Sequence, residues 1–254
     1  MNTIDTSRLI AAKKEEIEFL QTEVDSLCKA LQSLDLRNTI GHYHYKRWQE
    51  IKDAAIPAAK LINMISGRPG RLNAPAYNAE VFAFLQNLHA ICDSVPYVLN
   101  ILLNRVPIEH TDVGWKPSLL KKHDPRGEDK NIFPKKREIT NGEIEARQEF
   151  YEKLLEFSKD EIFAQLKGLV NRTKHKHLVP IFYDDGLISF DKYSYMSFFR
   201  GTEILDKSVP KNSDSTCENV EEFMRKCHND LWPKLCSLYA AIAIEKERLN
   251  SIKP

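Results

Sequence analysis

The stretch that decides the fold is NAEVFAFLQNLHAICDSVPYVLNILLNR, residues 78–105, the most apolar part of the chain. Its apolar side chains recur every three or four residues, which is the spacing of one face of an α-helix. They are Val81, Phe82, Leu85, Leu88, Ile91, Cys92, Val95, Val98, Leu99 and Leu102. The pattern predicts a central core helix. Pro96 predicts a bend in it near Cys92, because proline removes a backbone donor.

Helical spacing also appears in four other segments. They span residues 7–34, 43–66, 143–177 and 218–251. Gly41 is expected to separate the first two of these segments, and Pro57 is expected to kink the second. The sequence therefore predicts an all-α fold, an up-and-down helical bundle of about five long helices.

The first segment, residues 7–34, has a narrow apolar seam over a charged surface. The seam consists of Ile10, Ile17, Leu20, Val24, Leu27, Leu31 and Leu34. Such a seam suits either a coiled-coil contact with another chain or a bundle helix packed on its neighbours. The heptad pattern stops with this one element, which favours the bundle helix. Whether the helix packs in the bundle or on another chain stays open.

Irregular segments interrupt the helices of an expected single domain, residues 1–254. Residues 107–141 are rich in proline and predict a long surface insert. Residues 178–200 change to an alternating pattern around an Asp-Gly turn, which predicts a β-hairpin insert. Residues 202–216 form a polar loop.

Composition narrows the classes of function. With 37 Lys and Arg against 36 Asp and Glu, the net charge is +1, which excludes a protein that coats nucleic acid or membranes through bulk charge. Five cysteines without a C-x-x-C pair suit a reducing compartment. The N-terminus lacks the pattern of a secretory signal, and the longest apolar run, residues 95–103, is too short to span a bilayer. We therefore expect a cytoplasmic protein with no membrane contact.

Polar and basic residues concentrate in residues 171–177, NRTKHKH, at the end of the fourth helical segment. At 100° per residue, His177 falls about 20° from the centre of the apolar stripe, so it is expected to point inward. Arg172 falls about 120° away, on the shoulder of the stripe. His175 is expected to face solvent, with Asn171 beside it. Such a histidine can transfer a proton, and the guanidinium of such an arginine can bind a phosphate.

A simpler explanation accounts for part of this cluster. Cations are favoured at the C-terminal end of a helix, where free carbonyls and the macrodipole are negative. Lys174, His175 and Lys176 need nothing more than this effect. His177 would likewise be explained as a bundle histidine that donates to a carbonyl of the following hairpin.

The spacing from Arg172 to His177, an arginine, four residues and a histidine, resembles the motif of the HEPN superfamily of helical nucleic-acid-associated domains. The resemblance covers mainly the helices between about residues 78 and 177 and the last helix, and it does not extend to the first two helices or the Pro-rich insert. It implies a homodimer in which two motifs face each other, and active members of the superfamily cleave RNA without metal. Carried over, His177 would transfer protons at a ribose 2′-hydroxyl and Arg172 would stabilise charge on phosphorus, leaving a 2′,3′-cyclic phosphate. Thr173 departs from the amide, acid or histidine often found after the arginine in active members.

Basic and amide side chains around the motif and in the insert are the expected nucleic-acid-binding residues. They are Asn171, Lys174, His175, Lys176, Lys121, Lys122, Lys135, Lys136 and Arg137. Two functions stay open. One is a metal-independent endoribonuclease, as a toxin or phage-defence effector, with Arg172 and His177 as its catalytic residues. The other is a non-catalytic HEPN-like helical dimer that acts as an RNA- or protein-binding or regulatory module.

The expected partners are a second copy, RNA and a regulatory protein such as an antitoxin, with no cofactor or metal. Two further histidine patterns bear on this. His89 and Asp93 stand four residues apart on the central helix, which predicts a buried pair that serves packing. His42 and His44 have a spacing suited to a metal in extended structure, but no cysteine or carboxylate accompanies them at ligand spacing.

Overall fold

The computed structural model describes residues 4–14, 21–66, 70–71, 74–103, 114–115, 141–175, 179, 181–184, 187–190, 196–199, 202–205 and 219–251. These residues are mostly helical, which confirms the helical class predicted from the sequence. None of the helices in these ranges is both long enough and apolar enough to cross a membrane.

The helices follow the chain in the order α1 (Thr6–Lys14), α2 (Gln21–Ser66), α3 (Pro75–Leu103), α4 (Asn141–Ser158), α5 (Glu161–His175), α6 (Val220–Lys226) and α7 (Trp232–Ser251). One turn of π-helix, Cys227–Leu231, joins α6 to α7. The strands are β1 (Gly70–Arg71), β2 (Ile181–Asp184), β3 (Leu187–Phe190), β4 (Met196–Phe199) and β5 (Thr202–Leu205).

Helix α2 runs without a break through Gly41, so the expected boundary at this glycine is wrong. A Cβ atom at position 41 would lie 2.6 Å from Cη2 of Trp232. Glycine costs a helix about 1 kcal/mol relative to alanine, but here it allows the indole ring to pack directly on the helix backbone. The contact with Trp232 thus explains why a glycine stands inside the helix, although its local propensity indicates a helix break.

The expected single helix over residues 143–177 is two helices, α4 and α5. Asp160 begins the second helix, because its carboxylate accepts a hydrogen bond from the backbone N–H of Phe163 at 3.0 Å. Its carbonyl accepts the first helical bond, from Ala164, at 2.9 Å. Aspartate is a strong N-cap residue, so the periodic apolar pattern concealed a helix boundary.

The strands form two small sheets. One has the order β1-β2-β3, with Ile181 opposite Phe190 and Asp184 opposite Leu187 in the antiparallel pair β2–β3. This pairing falls where the alternating pattern predicts a hairpin. The other sheet pairs β4 with β5.

The chain divides into two compact units. Unit 1 contains Met1–Asn38, Ala90–Lys159 and Pro233–Pro254. Its seam residues Leu27, Leu31 and Leu34 are buried, so they pack within the protein as a bundle helix does. The hydroxyl of Tyr239 donates to the carbonyl of Ile91 at 3.0 Å, and burial holds the pKa of Tyr239 well above its ordinary value.

One residue of the Pro-rich insert contributes to unit 1. The indole N–H of Trp115 donates to the carbonyl of Cys92 at 3.0 Å. Its ring lies 5.5 Å from that of Phe157, measured between centroids. At Trp115, therefore, the insert is a packed element, whereas the sequence predicts a surface loop.

Unit 2 contains Thr39–His89 and Asp160–Trp232. Its core is aromatic, and the rings of Phe82, Phe190 and Phe223 follow one another at centroid distances of 6.3 and 6.0 Å. Its surface contacts include polar side-chain pairs from different helices. Lys52 binds Glu221 at 2.8 Å, and His44 binds Glu80 at 2.5 Å.

Candidate nucleic-acid interface

Helix α5 carries the residues that the sequence singles out. Its N-terminus is capped by Asp160 and has Glu161 in the first turn, whereas basic residues gather at its C-terminal end. This charge order follows the helix macrodipole. Leu166, Leu169 and Val170 are buried and fix the helix against the core of unit 2.

Arg172, on the shoulder of the apolar stripe, lies inside the protein. The residue is 3% exposed. Gly168, one turn earlier on the same flank, is buried as well. Helix α5 is therefore covered on this flank as well as along its apolar stripe, which reasoning from a single stripe could not foresee. In this conformation the guanidinium cannot reach a phosphate in solvent.

The opposite flank of α5 is open. Lys167, Asn171 and Lys174 stand at positions i, i+4 and i+7, so their side chains leave the helix within about 60° of one another. Lys174 is exposed, and Lys167 and Asn171 are half-buried. No acidic residue occurs between Lys167 and the end of the helix. This flank presents two ammonium groups and one amide on a single surface, which we call the basic flank.

His89 of α3 lies near the basic flank and is 1% exposed. Burial, together with the smaller effects of the positive charges of Lys174 and Lys167, lowers its pKa to about 3. At neutral pH the imidazole is therefore uncharged. Its expected neighbour Asp93 is exposed, and the charges that shift the pKa of His89 are those of the two lysines.

Several predicted site residues cannot be placed. Lys176 and His177 lie outside the described residues, and so do Lys121, Lys122, Lys135, Lys136 and Arg137 of the insert. His175 is the last residue of α5, and its side chain is not described either. The structure thus brings Asn171 and Lys174 together with Lys167, and it separates Arg172 from them by burial. The expected convergence of Arg172 with His177 stays a prediction.

The sequence pairing of His42 with His44 does not correspond to one site. His42 stacks on Trp232, with ring centroids 4.1 Å apart, whereas His44 contacts Glu80. The two side chains have different partners because α2 is helical here, and side chains two residues apart on a helix point in different directions. Over the described part of the chain, no group of three or more potential ligands converges for a metal ion.

A histidine cluster that sequence reasoning missed lies at the π turn. His228 stacks on Tyr45 with centroids 3.8 Å apart and planes 4° apart. Its ring meets that of His42 edge to face at 5.6 Å. Both histidines are half-buried. No local spacing could have indicated this contact, because one histidine lies on α2 and the other near the end of the chain.

The chain matches no protein-family model, and comparisons with curated proteins and with solved structures gave no match either. The contacts of its own residues therefore carry the functional argument. Among them, the basic flank is the surface best suited to an anionic ligand, because its donors are accessible and share one direction.

Proposed function

We propose that this protein is a non-catalytic, HEPN-like helical bundle that binds RNA through the basic flank of α5. The observation that carries the proposal is the alignment of Lys167, Asn171 and Lys174 on one open side of the helix. Lysine and asparagine side chains are typical donors to phosphate oxygens. A net charge of +1 requires such a contact to be local, and the basic flank provides it.

The choice of RNA rests on the motif that resembles HEPN domains, Arg172 and His177. We infer that Arg172 serves the fold, because a buried guanidinium is costly to leave unpaired and is engaged by the protein itself. Thr173 supports the same conclusion. Its hydroxyl donates to the carbonyl of Leu169 at 3.0 Å, so the side chain next to the arginine bonds to its own helix.

The second candidate function is the metal-independent endoribonuclease. It is favoured by the Arg-x4-His spacing, which places both residue types needed for transesterification close together along the chain. For Arg172 to contact a phosphate, the cover over this flank of α5 would have to open. In either function a homodimer is the expected assembly, which sedimentation equilibrium would test directly.

Binding is tested by fluorescence anisotropy with labelled single-stranded RNA and DNA of the same sequence. Lys174→Glu reverses an exposed charge of the basic flank and is expected to weaken RNA binding several-fold. It should also make the slope of log affinity against log salt shallower by roughly 1. Lys46→Glu is the matched control, because Lys46 is an exposed lysine on another helix of the same unit. Equal losses in both variants would show nonspecific attraction and contradict the proposal.

Cleavage is tested on the same RNA in excess EDTA, with Arg172→Ala and His177→Ala beside the native protein. We expect intact RNA in every sample. If the native protein produced cyclic phosphate ends and both folded variants did not, the nuclease function would be supported and the non-catalytic binding module would be rejected. Circular dichroism spectra of the variants separate lost chemistry from lost folding.

A further inference from the structure

The histidine cluster of unit 2 is made by a π turn that contacts an uninterrupted helix. In the turn, the backbone N–H of Trp232 donates to the carbonyl of Cys227, five residues earlier. Such turns are rare and often mark functional sites. The turn places His228 against Tyr45. Four residues later along the chain, it places Trp232 against His42. Two stacked pairs therefore lie side by side, each made of one histidine and one larger aromatic ring.

The stack of Trp232 on His42 depends on the glycine in α2. Because Gly41 has no side chain, Trp232 approaches the helix backbone closely enough to cover the ring of His42. The centroid of Phe84 lies 5.7 Å from that of Trp232 and closes the cluster from α3. The two imidazoles consequently meet in partly apolar surroundings at 5.6 Å, where a charge is less screened than in water.

The hydrogen bonding of His228 leaves one ring nitrogen to accept a proton. Nδ1 lies 2.8 Å from the side-chain oxygen of Asn229, so Nδ1 carries hydrogen and Nε2 is the basic atom. Burial lowers the pKa of His228, the bond to Asn229 raises it, and His42 lowers it. A proton on one imidazole therefore opposes a proton on the other.

Other charges reach the cluster from α6 and α5. Burial raises the pKa of Tyr45. Arg225 of α6 lowers this pKa, whereas Glu221 of α6 and the thiol of Cys227 raise it. Helix α5 also packs on the π turn, and its Lys167 and Lys174 act on the pKa of His89. The charge of His42 is the one that opposes protonation of His228.

We propose that His42 and His228 form a pH-sensitive switch that holds the π turn on α2 when the pair carries at most one proton and releases it when both rings are protonated. Two imidazolium groups at this separation repel each other, and each also loses part of its hydration. The structure relieves both costs if the π turn moves away from α2. Trp232 then leaves the backbone of Gly41, and the imidazoles become solvated.

The test uses the full chain labelled with 5-fluorotryptophan, which gives one fluorine signal for each of its three tryptophans. Trp232→Phe assigns the signal of Trp232. From about pH 8 to about pH 5, we expect this signal to move while that of Trp115, assigned with Trp115→Phe and packed in unit 1, stays in place. Gly41→Ala should give the low-pH position of the Trp232 signal at neutral pH, because the added methyl displaces the indole.

His228→Gln provides the decisive variant, because glutamine keeps a polar side chain but cannot be protonated. In this variant the Trp232 signal is expected to lose its pH dependence. In His42→Gln, the pKa of His228 read by carbon-proton NMR should rise, because the opposing charge of His42 is removed. A Trp232 signal that follows the same pH course in the native protein and in His228→Gln would overturn the proposal. So would movement of the Trp115 signal in step with that of Trp232, which would indicate global unfolding.

Discussion

The buried imidazole of His89 makes the stability of the protein depend on pH in a way that can be calculated. In the unfolded chain a histidine has a pKa of about 6.5, whereas burial and two nearby lysines lower the pKa of folded His89 to about 3. Between these two pKa values, His89 is protonated in the unfolded state and neutral in the folded state. The folded state therefore loses stability as the pH falls from about 6.5 to about 3.

The size of the effect follows from the two pKa values. Lowering the pH from about 7 to about 5 should reduce the free energy of unfolding by about 2 kcal/mol through His89 alone. The loss reaches about 4 kcal/mol near pH 3. Urea unfolding, followed by circular dichroism and extrapolated linearly to water, measures this free energy at each pH.

Two variants isolate the contribution of His89 from those of other titrating groups. His89→Gln cannot be protonated, so it should lose about 2 kcal/mol less than the native protein over the same pH interval. Lys174→Gln removes one positive charge near the imidazole, so the pKa of His89 should rise and the pH dependence should become weaker. If the native protein and His89→Gln lost equal stability between these pH values, the imidazole would not be a buried neutral group.

Three other substitutions test packing and capping. Gly41→Ala adds a methyl where Trp232 approaches to 2.6 Å and should cost a net ~1–2 kcal/mol, because overpacking outweighs the gain in helix propensity; adding Trp232→Phe should recover part of the loss in urea unfolding. Asp160→Ala should cost about 1 kcal/mol by removing an N-cap, whereas Asp160→Asn should cost much less in the same assay. Tyr239→Phe removes a buried donor 3.0 Å from the carbonyl of Ile91 and should lower the free energy of unfolding by about 1 kcal/mol; an unchanged value would contradict this role.

Helices were predicted correctly where the sequence pattern depends on neighbouring residues alone, and wrongly where a tertiary contact or a cap decides the structure. The central helix was predicted within a few residues, because its apolar spacing is strong and continuous from Val81 to Leu102. Gly41 was misread as a break, since only the packing of Trp232 explains a glycine there. The break before Asp160 was missed because the apolar periodicity continues across the cap.

For the candidate site, the sequence directed attention to helix α5, and the structure shows which flank of that helix is exposed. The burial of Arg172 comes from elements that cover α5 on a second side, which a helical projection with one apolar stripe cannot represent. The contact between His42 and His228 depends on the tertiary fold, and no spacing rule connects residues so distant along the chain. By contrast, the helical angle alone places Asn171 beside the solvent-facing side of the helix, and the structure leaves this residue partly exposed.

The close approach of Trp232 to Gly41 also restricts how this protein can diverge. The two positions share one small volume, so a side chain at position 41 and an indole at position 232 exclude each other. Homologous chains should therefore show correlated changes, with alanine or serine at the first position only where the second carries a smaller residue. Such covariation would record this packing constraint in sequences alone.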